Sequence, residues 1–468
     1  MAQWWRRWGA AALLLVAGAM LRAVFVKWHP WIAGDSLLYG DLAGNMLQHH
    51  IYGFTEATRI RPTLIRLPGY PAFLAACFAF WGVDNFVPVL WAQALVDLGT
   101  CCLMGGVAAR LWGCRAGLWV LGAGMLCPFL ANYAAVPLAE TWTIFCVALA
   151  FFSLERWSVG KLWNWWLAAM VFALAYGILL RPDEALVVVA VLPVMAWRGW
   201  KKARLRGVGP VIAVAVAMSL PFVLWGVRNW RVFHVIQPLA PRYANDPGEP
   251  NPSGFQKWYR TWAIDFKATV DVYWNYDGSP ISLGDLPSRA FESDAERAET
   301  ARLYAIYNDQ GRSTQPVDDA FGRLAEKRIA EHPLRYYVVL PALKLADMWL
   351  RPRTEYMRLP VDWWRFRTHP WQSWVSLGYA VWDAVYLVLA CVGLWWWRKD
   401  GWSGQRGLAV AMVGFVVLRC VLLWTLDNSE PRYTLECFPV VVLVAGFAVG
   451  KSKSFDAEGA EKGAEVAE

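Results

Sequence analysis

The chain has 468 residues, 57% of them hydrophobic and only 18% charged, with a formal net charge of +8. Ordinary soluble domains carry about 25% charged residues, and several apolar runs here reach the ~18 residues that mark a transmembrane helix. Together these exclude a soluble globular protein and predict an all-α polytopic membrane protein. The positive balance does not point to nucleic acid, because the basic residues flank the apolar runs as cytoplasmic links do.

Arg6 and Arg7 precede an apolar run that is too long for a signal-peptide core, so the first span, about 8–26, is predicted as a retained helix. The external loop 28–71 follows. It carries Asp35, Asp41, Glu56, Arg59, Arg61 and Arg66, and closes on Arg66-Leu67-Pro68-Gly69-Tyr70-Pro71, a turn-rich motif. So many ionisable groups at a membrane edge indicate chemistry or a ligand. The apolar stretch 70–81 is short and predicts a helix at the interface or a re-entrant one. Further spans are predicted near 86–109, 117–136, 138–154, 162–180, 185–197 and 208–227, then 374–397, 408–426 and 433–449, giving about ten transmembrane helices.

With the N-terminus inside, every predicted inner link is basic: Arg110 and Arg115, Arg156 and Lys161, Arg198 to Arg206, Arg398 to Arg406, Lys451 and Lys453. The chain then reads as an N-terminal transmembrane catalytic module over 1–230, an external, mainly helical cap over 231–370, C-terminal transmembrane helices over 371–450 and a disordered cytoplasmic tail over 451–468. In the cap, helices are predicted over 288–308 and 317–331, the latter stopped before Pro333, and the apolar segment 336–350 is placed on the outer surface. None of the nine Cys falls between Arg231 and Pro370, so the cap has no disulfide framework, and no CxxC pair suggests a metal or redox site.

This topology gathers charge on the outer rim: Asp35, Glu140, Arg181, Asp183, Glu184, Arg228, Arg231, Asp427, Glu430 and Arg432. Buried charge requires a partner or a ligand, so the rim reads either as structural ion pairs or as a site. A lipid-linked sugar donor would sit with its phosphate at this depth. Guanidinium groups match phosphate oxygens bidentately, and a carboxylate can activate an acceptor hydroxyl. Arg66, Arg181, Arg228 and Arg432 are therefore candidates to bind the donor phosphate, Arg66 being equally suited to bracing the turn at Pro68.

The order of motifs resembles a known family. An early external Asp and RLPGYP are followed by Pro137-Leu138-Ala139-Glu140, Leu180-Arg181-Pro182, Arg228-Asn229 and Glu430-Pro431-Arg432-Tyr433. This looks like the polyprenyl-phosphate-dependent glycosyltransferases of the C-type membrane fold, near the dolichyl-phosphate-mannose–protein mannosyltransferases and the lipid A aminoarabinose transferase. The resemblance covers most of the membrane part but not the cap. It implies outer-face juxtamembrane helices and a catalytic acidic residue in the first loop, here Asp35. Many relatives carry an Asp-Glu pair there, where this chain has Asp35-Ser36. Glu140 matches the family's second acidic position and suits an orienting acid or a structural role. Tyr39, Asp41, Arg61, Tyr70, Glu430 and Tyr433 are candidates to contact substrate, although Asp41 equally suits a helix-pairing carboxylate. The family's metal requirement is not uniform: a divalent cation is compatible, no cofactor is certain, and no metal residues are assigned, since the adjacent His49 and His50 point different ways on a helix.

The implied activity is inverting transfer of a hexosyl or pentosyl group from a polyprenyl-phosphate carrier to a lipid, glycan or protein acceptor, on the outer (periplasmic) face of the inner membrane. The partners are that donor, the acceptor and membrane lipids, with no nucleic acid. The alternatives are a polytopic transporter or lipid-linked sugar flippase, which would place ionisable residues along a path through the spans, and a non-catalytic scaffold.

Overall fold

The computed structural model describes residues 2–276 and 278–465. The chain divides into two compact units. The first comprises Met1–Pro247, Ala384–Val417 and Leu435–Glu468; the second comprises Gly248–Asp383 and Leu418–Thr434.

In chain order the first 233 residues form α1 (Ala2–Trp28), α2 (Asp35–Gln48), β1 (Gly53–Glu56), β2 (Arg59–Pro62), α3 (Gly69–Trp81), α4 (Phe86–Trp112), α5 (Cys114–Met125), α6 (Pro128–Ala134), α7 (Glu140–Val159), α8 (Trp166–Leu180), α9 (Ala185–Ala203) and α10 (Gly209–Phe233). Helices dominate because a segment in hydrocarbon must satisfy its own backbone polar groups. Among the described residues, seven helices are long and apolar enough to cross a membrane: Trp8–Trp28, Phe86–Trp112, Glu140–Val159, Gly209–Phe233, Pro370–Lys399, Arg406–Trp424 and Pro431–Lys451. There are eight if the bent pair α5 and α6 is one span. The protein is thus a multi-pass membrane protein. The ten expected spans reduce to seven or eight by length and composition. Of the other two, α8 has only 15 residues, about 22 Å of helix, and α9 ends in Arg198, Lys201 and Lys202.

A second departure from the sequence pattern is the antiparallel hairpin β1–β2 inside the first loop, paired from Gly53↔Pro62 to Glu56↔Arg59. Its two-residue turn is Ala57-Thr58, with Ala57 at φ 49°. Neither residue is the Asn or Gly that announces such a turn.

The span predicted over 117–136 bends by 53° between α5 and α6, because Pro128 lacks an N–H and its ring opposes a continuous helix. The carbonyls freed at the break are taken by a charged side chain from α1. Arg22 donates to the carbonyls of Gly124 (3.1 Å) and Met125, and its Nε donates to Asp97 Oδ2 of α4 at 2.8 Å. Both side chains are almost wholly buried. Arg22→Leu should therefore strand Asp97 and destabilise the protein by about 3–5 kcal/mol, read as a lower melting temperature in detergent. The double variant Arg22→Leu/Asp97→Leu should recover part of the loss. A parental melting curve for Arg22→Leu would show that the pair does not hold the bend.

The second unit is built from α11 (Ser253–Tyr259), the single turn α12 (Phe266–Ala268), α13 (Asp294–Gln310), α14 (Gln315–Glu331) and α15 (Leu340–Leu350). Its core is aromatic: Trp258, Trp262, Tyr304 and Phe321 are buried together, and Tyr276 stacks on Phe255 at 3.5 Å. Ser293 caps α13, accepting from Glu296 N, and α14 stops before Pro333 as its sequence predicts. The segment 336–350 forms most of a π-helical turn, Arg335–Val339, followed by the 11-residue α15. The chain continues into α16 (Pro370–Lys399), α17 (Arg406–Trp424) and α18 (Phe438–Glu465). α18 takes in most of the tail, and 466–468 lie outside the described residues.

Residues 426–429 are stitched into the second unit by buried groups. Lys344 Nζ donates to the carbonyls of Leu426 (2.7 Å) and Asp427 (3.3 Å), and Asp347 accepts from Phe266 N and Ser429 Oγ, both at 2.9 Å. Burial, aided by Arg260 and opposed by Asp427, lowers the Lys344 ammonium to about 7. An unfolded lysine titrates near ~10.4, so between the two values the unfolded chain holds the extra proton and stability rises with pH. The melting temperature should climb from about pH 7 towards about pH 10, and Lys344→Met should remove that climb. An equal climb in the variant would assign it to other groups.

Candidate active site

Asp35 is the first residue of α2, where the helix dipole favours a carboxylate. Arg66 Nη2 donates to its Oδ1 at 3.0 Å, and both side chains keep roughly a quarter of their surface open. Arg66 is placed by the turn that follows it. Gly69 packs so tightly on the end of α8 that a Cβ there would lie 2.5 Å from the Leu179 carbonyl, and Tyr176 donates to the Gly69 carbonyl at 3.2 Å. The RLPGYP motif is thus a clamp between α3 and α8, which also sets the place of Arg181 immediately after α8.

Arg181 gathers carboxylates. It pairs with Glu140, the first residue of α7, at 3.2 Å, with Asp183 at 3.3 Å and with Glu436 at 3.1 Å. Glu140 and Glu436 are both buried. Tyr39 lies within electrostatic reach of both groups. Burial raises its hydroxyl above the usual range, Arg66 and Arg181 pull it down, and Asp35 and Glu140 push it up. Asp35, Arg66, Glu140 and Arg181 therefore act on one hydroxyl. Tyr70 lies edge-on to Tyr39 at 5.0 Å and donates to Gln93 Oε1 at 2.5 Å.

The other predicted residues have partners of their own. Asp41 holds the hairpin to α2, accepting from Thr55 N (2.8 Å), Thr55 Oγ1 (2.7 Å) and Asn45 Nδ2 (3.1 Å). Arg61 pairs with Glu56 at 2.6 Å and Asp246 at 3.1 Å. Arg228 donates to the carbonyls of Thr63 (2.7 Å) and Tyr52 (2.8 Å) and lies over Trp225 at 4.9 Å. In the second unit Glu430 pairs with Arg432 at 2.5 Å and accepts from Tyr433 and Asn428, both at 2.6 Å. Among the described residues, one group offers three metal-ligand atoms within 4.8 Å of one another, from the exposed Glu292, Glu331 and His332 of that unit. It is compatible with a divalent cation, and no cofactor is certain.

Glu436 is the site residue that the sequence pattern missed. Its signal was a lone acid in the run Leu435-Glu436-Cys437-Phe438 opening an apolar helix, which is costly unless a cation meets it.

No family model matches the chain, and no curated protein sequence does. Among solved structures, it is similar to the archaeal oligosaccharyltransferase AglB from Archaeoglobus fulgidus, in complex with an inhibitory peptide and a dolichol-phosphate. The TM-score is 0.48 and the identity 13%, over 99% of this chain and 52% of that one. It is also similar to ArnT from Cupriavidus metallidurans bound to undecaprenyl phosphate, with a TM-score of 0.38 and 17% identity, over 95% and 79% of the two chains. The chain spans about half the length of the archaeal enzyme. Likenesses this distant assign neither fold nor activity.

Proposed function

We propose that the protein is an inverting glycosyltransferase that moves a hexosyl or pentosyl group from a polyprenyl-phosphate carrier to a lipid, glycan or protein acceptor. The observation that carries this reading is the set of charges that act on Tyr39: a partly open Asp35–Arg66 pair and the Glu140–Arg181 pair, which Glu436 joins. Asp35 takes the acceptor hydroxyl proton as the acceptor oxygen bonds to the anomeric carbon. The bond from that carbon to the phosphate oxygen breaks on the opposite face, and polyprenyl phosphate leaves with the electron pair.

Arg66 is the first choice for the leaving phosphate, because it is partly open; it would turn from Asp35 to meet the phosphate on the face opposite the acceptor. Arg181 is already shared among three carboxylates, Arg432 is paired with Glu430 in the second unit, and Arg228 would have to release two backbone carbonyls. The site lies on the outer, periplasmic face of the inner membrane in the topology that makes each inner link basic. A transporter reading is disfavoured by the Arg22–Asp97 pair: both charges are almost wholly buried, bonded to each other, with Arg22 also on the carbonyls of Gly124 and Met125.

Mass spectrometry of envelope lipids and glycans with and without the gene tests the proposal. Loss of one sugar mass from a defined acceptor is the expected result; unchanged acceptors with altered distribution of the carrier lipid would favour transport.

A further inference from the structure

At the opposite end of α9 from Arg181, the first unit holds a cavity of about 390 Å³. It is lined by Arg198, Lys201, Lys202 and Arg406, with Trp197 and Gln405. No acidic residue lines it among the described residues. The charge of Glu155 reaches Arg198, but its carboxylate is bonded to Arg110 at 2.7 Å. The cations are positioned by neutral groups instead. Arg198 donates to Gln405 Oε1 and Lys202 to the Gly160 carbonyl, both at 2.7 Å, and the Lys201 ammonium lies 4.2 Å from the Trp197 ring centre. Burial, with Arg198 beside it, pushes the Lys202 ammonium below its ordinary range, as expected where positive charge converges without an anion.

Next to the lining residues the backbone is closely packed. Gly199 and Gly207 meet backbone to backbone, so that a Cβ on Gly199 would lie 2.1 Å from the Gly207 carbonyl oxygen. This locks the turn Arg204–Gly207 against the end of α9. Basic links at a cytoplasmic face ordinarily spread their charge into water; here four cations line one open cleft, Arg198 partly buried and Lys201, Lys202 and Arg406 exposed at its rim.

We propose that this cavity binds the phosphate headgroup of an anionic phospholipid. The position selects a lipid over a soluble anion. The cavity sits where apolar helices end, Trp197 and Trp200 are half exposed there, and Leu205 is 77% exposed between Arg204 and Arg206. Tryptophan rings sit at headgroup depth, and Val189 and Ile212 extend an exposed apolar surface from the same helices for acyl chains. Basic pockets between spans recognise anionic headgroups in this way. The site does not depend on the sugar-transfer reading.

The test is native mass spectrometry of the full-length protein in detergent, titrated separately with phosphatidylglycerol, phosphatidylcholine and inorganic phosphate. Phosphatidylglycerol should bind in preference to phosphatidylcholine, and inorganic phosphate should not displace it. Arg198→Gln/Lys202→Gln should weaken phosphatidylglycerol binding by roughly twenty-five-fold, taking about a fivefold loss for each charge removed. Arg115→Gln, a basic residue of another link, should leave binding unchanged. If the double variant melts below the parent, the single Lys201→Gln carries the same test, with roughly fivefold weakening expected. Equal retention of the two lipids, full displacement by inorganic phosphate, or an equal loss in Arg115→Gln would each overturn the proposal.

Discussion

Asp35→Asn is expected to lower sugar transfer by about 10²–10⁴-fold, the usual contribution of a general base, in a protein that still folds and still binds donor lipid. Asparagine keeps an oxygen for Arg66 Nη2, which now donates at 3.0 Å, so the turn at RLPGYP has no reason to move. What is lost is the capacity to take a proton. Asp41→Asn is the internal control. Its carboxylate is engaged by Thr55 and Asn45, so the change should loosen the hairpin and lower thermal stability while sparing most of the turnover. Transfer near the parental rate in Asp35→Asn, with loss in Asp41→Asn, would exchange the roles of the two carboxylates.

Arg181→Ala should be among the most damaging single changes to the fold. It removes the cation that meets Glu140, Asp183 and Glu436, and two of those carboxylates are buried. Removing one partner of a buried ion pair costs about 3–5 kcal/mol, a large share of the stability of a marginally stable fold. The double variant Arg181→Ala/Glu436→Gln should recover a measurable part of the melting temperature, because one stranded charge is neutralised. Arg181→Lys should fold but lose transfer, since one ammonium cannot reproduce a guanidinium fork shared among several oxygens. If Arg181→Ala melts and turns over like the parent, the Glu140–Glu436 group is not held by Arg181, and the site described around Tyr39 dissolves.

How far the sequence alone led depended on the range of the interaction. Long apolar spans such as 86–112 and 209–233 were legible because a bilayer-crossing helix is a local property of composition. The bend before Pro128 was locally encoded too, yet its cap, Arg22 with Asp97, was not, because the partners lie on different helices and only packing brings them together. Asp35, Arg66, Glu140 and Arg181 were recognisable as charged groups at span ends, and the structure gathers them around Tyr39. Arg228 looked equivalent from its position, but a guanidinium bonded to backbone carbonyls leaves no sequence trace. Glu436 was hidden inside an apolar run for the converse reason: its only signal is the cost of burying it. The hairpin escaped because Ala57-Thr58 is not a turn sequence; the pairing is fixed instead by Asp41 and Asn45 reaching across from α2.

The most direct test is ³¹P NMR of the purified protein in nanodiscs holding a polyprenyl-phosphate sugar, with envelope extract as acceptor. The account predicts that the donor's phosphodiester resonance is replaced by that of free polyprenyl phosphate, at a rate that falls by about 10²-fold or more in Asp35→Asn. A phosphodiester that stays intact with every acceptor fraction, or is cleaved equally fast by Asp35→Asn, would contradict it.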